Sequence, residues 1–255
     1  ISTNNNIDYN CVDGQNTTLF MRICEKKLEN IAIRILTCSR SLNYNHVNDS
    51  GNTPLLYACE YELNRLVDEL VKKDDLNYNR TNNNGTSAIM LACHNKRISI
   101  ATTLLRQKNI DCNSPDRNGD IPFVIAIKNS LSSVASAILE NKNTDFKTIA
   151  NYIDEDGDDA LMLACRCDMA RIGELLLDKG FDYKRVNRYN ENALLLSCRK
   201  GLDYISRKIL MYNDVDYNCV CLPSKNTPLI EACHSKSVSI VELLLKKQDI
   251  NYNHL

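Results

Sequence analysis

The sequence predicts an all-α protein made of repeated pairs of short helices, and three observations support this fold class. A similar phrase of about eight residues returns seven times along the 255-residue chain. Each copy is followed by a second apolar segment with helical spacing, and a polar stretch with its own recurring pattern separates the pairs. Self-similarity at a fixed interval is the signature of stacked repeat architectures.

The recurring phrase predicts the first helix of each pair. Its copies are NTTLFMRIC (16–24), NTPLLYAC (52–59), TSAIMLAC (86–93), DIPFVIAI (120–127), DDALMLAC (158–165), ENALLLSC (191–198) and NTPLIEAC (226–233). Thr53-Pro54 and Thr227-Pro228 are typical of a helix start. Threonine caps the helix, and proline suits the first helical position because no amide hydrogen is needed there.

The second apolar segment predicts the second helix, as in Ile98, Ile100, Leu104 and Leu105. Helices of about 8–12 residues are not stable alone in water. Each pair is therefore expected to bury its apolar face against the neighbouring pair.

The polar stretches predict an extended segment that enters a tight turn. They read IDYN (7–10), LNYN (42–45), LNYN (76–79), IDCN (110–113), FDYK (181–184), VDYN (215–218) and INYN (250–253). Apolar and polar residues alternate in these stretches. This alternation predicts that the repeated tyrosines are partly buried packing residues rather than binding residues. They are Tyr9, Tyr44, Tyr78, Tyr183, Tyr217 and Tyr252.

The order of Asp or Asn, Gly, Thr-Pro-Leu, Ala, Leu-Leu and a hairpin ending in Asn resembles the ankyrin repeat. The resemblance covers nearly the whole chain and implies one domain over 1–255, an all-α solenoid of helix-turn-helix repeats joined by β-hairpin-like loops. The expected repeats are 7–41, 42–75, 76–109, 110–143, 144–180, 181–214 and 215–249, with 250–255 beginning a further one.

The chain departs from the family pattern at its glycines and in one spacing. The glycine between the helices is kept only near Gly201, and the glycine after the second helix only as Gly180. Left-handed conformations are therefore expected at Asp75, Asn109 and Asp214 or their neighbours. About four extra residues fall within 143–152, which predicts a bulging loop at the start of the fifth repeat.

Six of the twelve cysteines recur in phase. They are Cys24, Cys59, Cys93, Cys165, Cys198 and Cys233, and Ile127 takes the equivalent place in the fourth copy. A position that accepts Cys or Ile is a small apolar packing site. The close cysteine pairs lack a second pair at zinc-ligand spacing, so no metal site is predicted. Reduced thiols indicate an intracellular location, in the cytoplasm of the source cell or of a host.

Motif searches predict a non-catalytic protein without a cofactor, because no phosphate-binding loop, HExxH or nucleophile elbow is present. The histidines, His46, His94, His234 and His254, are interpreted as surface residues. The acidic run 154–159 resembles part of a calcium loop, but Cys165 stands where the bidentate Glu would be. The run is interpreted as a solvated turn that caps a helix.

Residues at the ends of the first helices and at the turn tips are predicted to bind a protein or peptide partner on the concave face of the stack. The predicted set is His94, Lys128, Arg166, Arg188, Tyr189, Arg199, Lys200 and His234. From the third repeat onward the helix ends carry no acid, which favours an acidic partner surface. Cations there also stabilise the helix dipole without any partner, so both interpretations stay open.

The net charge of −1 argues against nucleic acid as a partner, and no apolar run is long enough to enter a membrane. The expected function is a protein-interaction scaffold. The alternative is the substrate-targeting arm of a larger multidomain enzyme or ubiquitin-ligase adaptor.

Overall fold

A computed structural model describes residues 7–251, which are folded into short α-helices. The helices are α1 (Leu19–Glu25), α2 (Glu29–Cys38), α3 (Pro54–Glu60), α4 (Asn64–Leu70), α5 (Ala88–His94), α6 (Ile98–Leu105), α7 (Pro122–Lys128), α8 (Ser132–Glu140), α9 (Phe146–Asn151), α10 (Ala160–Arg166), α11 (Ala170–Asp178), α12 (Ala193–Lys200), α13 (Asp203–Leu210), α14 (Pro228–His234) and α15 (Val238–Leu245). Tyr252, His254 and most of the expected further repeat lie outside the described residues.

The fold class is confirmed: within residues 7–251 there is no strand, and Val12 and Thr18 form an isolated β-bridge. The hairpin-like segments are therefore turns rather than sheet. Contacts divide the chain into two compact units, unit 1 (Ile1–Thr144) and unit 2 (Asp145–Leu255). That the repeats form a single domain stays a prediction.

Each unit is a stack of helix pairs. In unit 1 the first helices α1, α3, α5 and α7 pack in sequence, and so do the second helices α2, α4, α6 and α8. In unit 2 the first helices are α10, α12 and α14, and the second helices are α11, α13 and α15. Helices of six to ten residues are held in place by this packing, as their shortness requires.

The extra residues before the fifth repeat form helix α9, so the prediction of a bulging loop was wrong. Asp145 caps this helix, accepting hydrogen bonds from the Lys147 amide at 3.0 Å and the Thr148 hydroxyl at 3.0 Å. Ile149 is fully buried. A capped start and one buried aliphatic side chain are enough to favour a single helical turn here.

The helix starts follow the predicted capping chemistry. Side chains of Thr18, Thr53, Ser87, Asp159, Asn192 and Thr227 each accept a hydrogen bond from the backbone amide three residues later. Helices α3 and α14 also have proline in their first turn. The caps satisfy amides that the short helices would otherwise leave unpaired.

Left-handed residues lie at the turn tips, at Gly180 directly after α11, and between the two helices of each pair. The residues with positive φ there are Lys27, Glu62, Lys96, Ser130, Asp168, Gly201 and Lys236. The expectation of left-handed conformations at Asp75, Asn109 and Asp214 or their neighbours was wrong. In the described segments after the second helices, Gly180 is the one left-handed residue before the turn tip. A tight reversal is needed where two packed helices follow each other directly. Six exposed non-glycine residues therefore adopt a conformation that glycine adopts more easily.

The recurring cysteines are core residues, as their phase predicts. Cys24, Cys59, Cys93, Cys165 and Cys198 are each 0% exposed, and so is Ile127. All twelve cysteines are free thiols. Burial raises the pKa of the Cys24, Cys93 and Cys198 thiols to about 12, so these side chains are neutral packing groups. Cys233 is the exception, because it is exposed.

The segment between repeats is ordered by its Asn and Tyr residues. Asn45 accepts from the Asn77 amide at 3.0 Å and donates to the Asp75 carbonyl at 2.8 Å. Equivalent bonds are made by Asn10, Asn79 and Asn218. The described repeated tyrosines are all half-buried, in agreement with the packing interpretation.

Candidate protein-binding surface

The turn tips are built on one repeated hydrogen-bond pattern. Asn48 Oδ1 accepts from the amides of Ser50 at 3.1 Å and Asn52 at 2.9 Å. The same pair of bonds is made by Asp13, Asn82, Asp116, Asp154 and Asn187. The Asn or Asp side chain takes the place of a backbone group in the hydrogen bonds of the turn. The tip therefore keeps its shape when the residues between its two ends change.

The residues between those ends are the variable ones. In unit 1 they are the exposed pairs Asp49-Ser50, Asn83-Asn84 and Arg117-Asn118. Backbone bonds join successive tips, for instance from the Asn83 amide to the Ser50 carbonyl at 3.0 Å. Within unit 1 the tips are thus joined by backbone hydrogen bonds, and their outward side chains are free to differ.

Arg188 and Tyr189 occupy the tip of the sixth repeat. Arg188 is exposed, as predicted, and pairs with Asp156 of the preceding tip. Tyr189, for which the place at the turn tip also predicts exposure, is half-buried instead, and its hydroxyl donates to Asp156 Oδ1 at 3.1 Å. The Arg188 guanidinium lies 5.6 Å from the Tyr189 ring centroid, within cation–π distance.

The predicted residues of unit 1 do not form a basic patch. His94 is exposed at the end of α5. Lys128, at the end of α7, donates to both carboxylate oxygens of Asp120, at 2.7 and 3.0 Å. The positive charge of Lys128 is therefore compensated by an acid at the start of the same repeat.

Arg166 and Arg199 of unit 2 are held in a row of ion pairs, called here the charge ladder: Asp158, Arg166, Glu191, Arg199 and Glu231. Arg166 reaches Asp158 at 2.5 Å and Glu191 at 2.8 Å. Arg199 reaches Glu191 at 2.5 Å and Glu231 at 2.8 Å. Each guanidinium bridges two carboxylates, which its planar fork of donors allows.

The carboxylates of the charge ladder are buried, whereas its arginines are half-buried. The side chains of Asp158, Glu191 and Glu231 are 1%, 4% and 6% exposed. Burial by itself raises the pKa of Glu191, but hydrogen bonds from Arg199, Asn187 and Arg166 outweigh it and hold the pKa at about 2. Glu191 is thus ionised at neutral pH and joins two helices through their arginines.

The acidic run 154–159 caps α10 as predicted, but it is not fully solvated. Asp158 is 0% exposed and belongs to the charge ladder. Asp159 is the N-cap of α10 and accepts from the Met162 amide at 2.9 Å. Burial raises the pKa of Asp159 to about 6, and Arg185 at 3.9 Å is too distant to offset this.

An open pocket of about 330 Å³ lies beside the charge ladder. Its lining includes Tyr189, Pro223, Ser224 and four ladder residues, Arg166, Glu191, Arg199 and Glu231. His234 is exposed at the end of α14, with Nδ1 3.9 Å from Glu231 Oε2, and Lys200 is exposed at the end of α12. The structure thus brings Arg166, Tyr189 and Arg199 together in one pocket.

Sequence reasoning missed the acids of this surface. Asp120, Asp158 and Glu191 each precede the paired cation by eight residues, in three consecutive repeats. That recurring interval was the available signal, because it joins the start of the first helix to its end. Glu231 gave a different signal, because the equivalent positions in the two preceding repeats are occupied by Leu163 and Leu196.

Two classes of site find no support. Within residues 7–251 no group of three or more His, Cys, Asp or Glu side chains is arranged to hold a metal ion. None of the helices described over that range is both long and apolar enough to cross a membrane.

Stacked helix pairs with variable turn tips define the class of solenoid repeat proteins. A family model described as ankyrin repeats (3 copies) matches residues 20–116, 63–150, 108–187 and 182–254. The chain belongs to the ankyrin repeat family. Ankyrin repeats are generally protein-interaction modules.

Solved structures show the same fold. The ankyrin repeat domain of Bcl-3, a member of the IkappaB family, is 19% identical, with a TM-score of 0.63 over 91% of this chain and 99% of that one. EF0377, an ankyrin repeat protein, is 22% identical, with a TM-score of 0.59 over 76% and 97%.

A third match is a chain from the complex of the Bd0816 predatory endopeptidase of Bdellovibrio bacteriovorus with the immunity protein Bd3460. It is 21% identical, with a TM-score of 0.56 over 76% and 97% of the two chains. No curated protein sequence matches this chain. At these identities the structural matches establish the fold alone.

Proposed function

We propose that this chain is a non-catalytic interaction module that binds a partner protein through its turn tips and the ends of its first helices. The observation that supports the proposal is that one set of residues shapes each tip and a different set points outward. The Asn or Asp that shapes the tip is the same in kind from repeat to repeat, whereas the outward residues differ. Variation on a fixed frame is how a repeat surface encodes one partner.

The binding surface proposed for unit 2 is Arg166, Arg188, Tyr189, Arg199, Lys200 and His234, with His94 and Lys128 at the matching positions of unit 1. Tyr and Arg contribute most of the energy of typical protein interfaces. Tyr189 and Arg188 also lose little conformational freedom on binding, because the Asp156 contacts already order both side chains.

The expectation of an acidic partner rested on the cations alone. Each of Lys128, Arg166, Arg188 and Arg199 is paired with an acid of the same chain, so that expectation loses its basis. Shape and the exposed tip residues, rather than net positive charge, support this surface.

Affinity capture from the source cells tests the proposal, with the wild-type chain, a tip variant and a matched control as baits. The tip variant combines Arg188→Ala, Tyr189→Ala and Lys200→Ala. The control is Arg171→Ala, at a 67% exposed side chain of the second helix α11. We expect a protein that is retained by the wild type and the control and lost with the tip variant. Binding of the purified partner is then measured by calorimetry.

A partner that binds all three baits with equal affinity would place the interface elsewhere and overturn the proposed surface. Circular dichroism of each bait must match the wild type, so that loss of binding cannot be assigned to unfolding.

A further inference from the structure

The charge ladder runs from the interior of unit 2 to the pocket beside Tyr189. The charge ladder contains three carboxylates and two guanidinium groups, Asp158, Glu191 and Glu231 against Arg166 and Arg199, which leaves one net negative charge. Signs alternate along it, and a carboxylate stands at each end. Asp158 ends the ladder in the interior, where it is 0% exposed, whereas Glu231 ends it at the pocket.

The Glu231 end is the incomplete one. Arg199 Nε and Nη2 both contact the same oxygen, Oε1, at 2.9 and 2.8 Å, and Asn226 donates to Oε1 at 3.2 Å. The other oxygen, Oε2, has the exposed His234 at 3.9 Å, beyond hydrogen-bond distance. A carboxylate oxygen gains stability from a charged donor, and a cation at Oε2 would continue the alternation of signs along the charge ladder.

The remaining walls suit a guanidinium group. Tyr189 lines the pocket, and its ring already has the Arg188 guanidinium within 5.6 Å. Planar guanidinium groups are attracted to aromatic rings, and their aliphatic stems pack against apolar surfaces such as that of Pro223. The volume of about 330 Å³ admits one long side chain.

We propose that this pocket receives an arginine side chain of the partner protein, which pairs with Glu231 Oε2 and packs beside Tyr189. The inference rests on the proposed interaction function and adds the chemistry of the partner: a protruding basic residue, where the helix-end sequence had suggested an acidic surface. Arg166 and Arg199 act as positioning residues, because they hold the three carboxylates in line and do not themselves meet an acid of the partner.

The test uses the whole chain and a small probe, N-acetyl-arginine methylamide, followed by amide NMR shifts. The neutral isostere N-acetyl-citrulline methylamide and the acidic N-acetyl-glutamate methylamide are the matched controls. We expect the arginine probe to shift the amides of Ser224, Lys225 and Asn226, with an affinity at least about fivefold above that of the citrulline probe.

The variant Glu231→Gln keeps the shape of the side chain and removes its charge. We expect it to weaken the arginine probe by about fivefold or more, while Glu174→Gln on α11 leaves binding unchanged. The probe comparison on the wild-type chain stands even where Glu231→Gln disturbs Arg199.

Three results would overturn the inference: equal binding of the arginine and citrulline probes, preferred binding of the glutamate probe, or no shift up to the solubility of the arginine probe. The proposed function is judged separately. If the tip variant abolished binding of the partner but Glu231→Gln left its affinity unchanged, the inference of a basic partner residue would be wrong. The proposed interaction function would still hold.

Discussion

The same spacing of acid and cation gives an ion pair within one repeat in unit 1 and an ion-pair network that joins repeats in unit 2. In unit 1 Lys128 contacts both oxygens of Asp120, whose side chain is 15% exposed. In unit 2 Arg166 and Arg199 each bridge two carboxylates that are at most 6% exposed. The difference lies in the cation: an ammonium is a compact charge, whereas a guanidinium presents donors in two directions.

The arginines of this column therefore form ion pairs between repeats as well as within them. Arg166 reaches Glu191, 25 residues away, and Arg199 reaches Glu231, 32 residues away. In a stack whose repeats stabilise one another, such links add directly to the coupling between neighbours.

The largest effect is expected from removing the shared acid of the network. Glu191→Ala leaves two guanidinium groups without their common acceptor, at a cost of about 2–3 kcal/mol of unfolding free energy. The cost is below that of a wholly buried pair, because the Arg166 and Arg199 side chains are 35% and 29% exposed. Urea unfolding followed by circular dichroism measures it.

The matched change in unit 1 is Asp120→Ala, expected to cost less than about 1 kcal/mol because the Lys128 side chain is 38% exposed. Equal losses for the two variants would show that the bridging geometry adds nothing.

A second expected effect concerns pH. The pKa of Asp159 is raised to about 6 in the folded chain, so its carboxyl favours the folded state while protonated. Its contribution to stability is present below the ordinary pKa of an aspartate and is lost as pH rises toward 6. Asp159→Thr keeps the cap type of Thr53 and should raise stability at pH 7 by about 2 kcal/mol.

The gain from Asp159→Thr should shrink when unfolding is repeated near pH 4, where the aspartate is protonated in the folded chain. Glu191 has the opposite dependence: its folded pKa of about 2 lies below the ordinary value, so its stabilisation is lost as pH falls from about 4.5 toward 2. A gain from Asp159→Thr that is the same at both pH values would contradict the raised pKa.

A third prediction compares two turn tips, the one that ends at Asp120 and the one that ends at Asp158. Gly119 and Gly157 have φ of 82° and 84°. A Cβ at Gly157 would lie 3.3 Å from the Arg188 amide nitrogen and from Asn187 Cα, whereas no atom of the described residues comes within 4 Å at Gly119. Gly119→Ala should lower the free energy of unfolding by about 1 kcal/mol because of the positive φ alone. Gly157→Ala, which adds the close contacts, should lower it by about 2 kcal/mol.

Because Asn187 donates to both Asp158 and Glu191, the Gly157→Ala change should also disturb the charge ladder. Thermal unfolding of both variants measures the difference. If Gly119→Ala proved the more damaging, crowding between successive tips would not be the cause.

The smallest effect on the free energy of unfolding is expected from changing the left-handed residue between the two helices of a pair. Lys96 has φ of 56° and is exposed, while Gly201 occupies the equivalent place in unit 2 with φ of 66°. Lys96→Gly should stabilise the chain by about 0.5 kcal/mol, and Gly201→Lys should destabilise it by a similar amount. The sign of the change in melting temperature decides the outcome.

Much of the fold could be predicted because it is local. Helix starts followed from the threonine caps and Thr-Pro, and the core column followed from cysteines at a constant interval. The helix α9 escaped prediction because its capping aspartate and single buried isoleucine are too weak a pattern in six residues. The left-handed residues were misplaced because Lys27, Glu62 and Lys96 carry no glycine to mark the reversal.

The candidate surface was predictable only in part. Tip and helix-end positions followed from the repeat, and their residues lie where the phase placed them. The charges around these residues did not follow from the repeat, because the column of cations was considered without the acids that lie against it in the folded chain.

The sequence by itself determined the repeat, the caps, the buried thiols and the position of every variable residue, since these depend on neighbours within a few residues. Only the tertiary structure decided that Arg166 and Arg199 are paired, that Asp158 and Glu231 are buried, and that Glu231 lies at the pocket. Those properties depend on atoms brought together from different repeats, and electrostatic energy is set by distance and burial rather than by order along the chain.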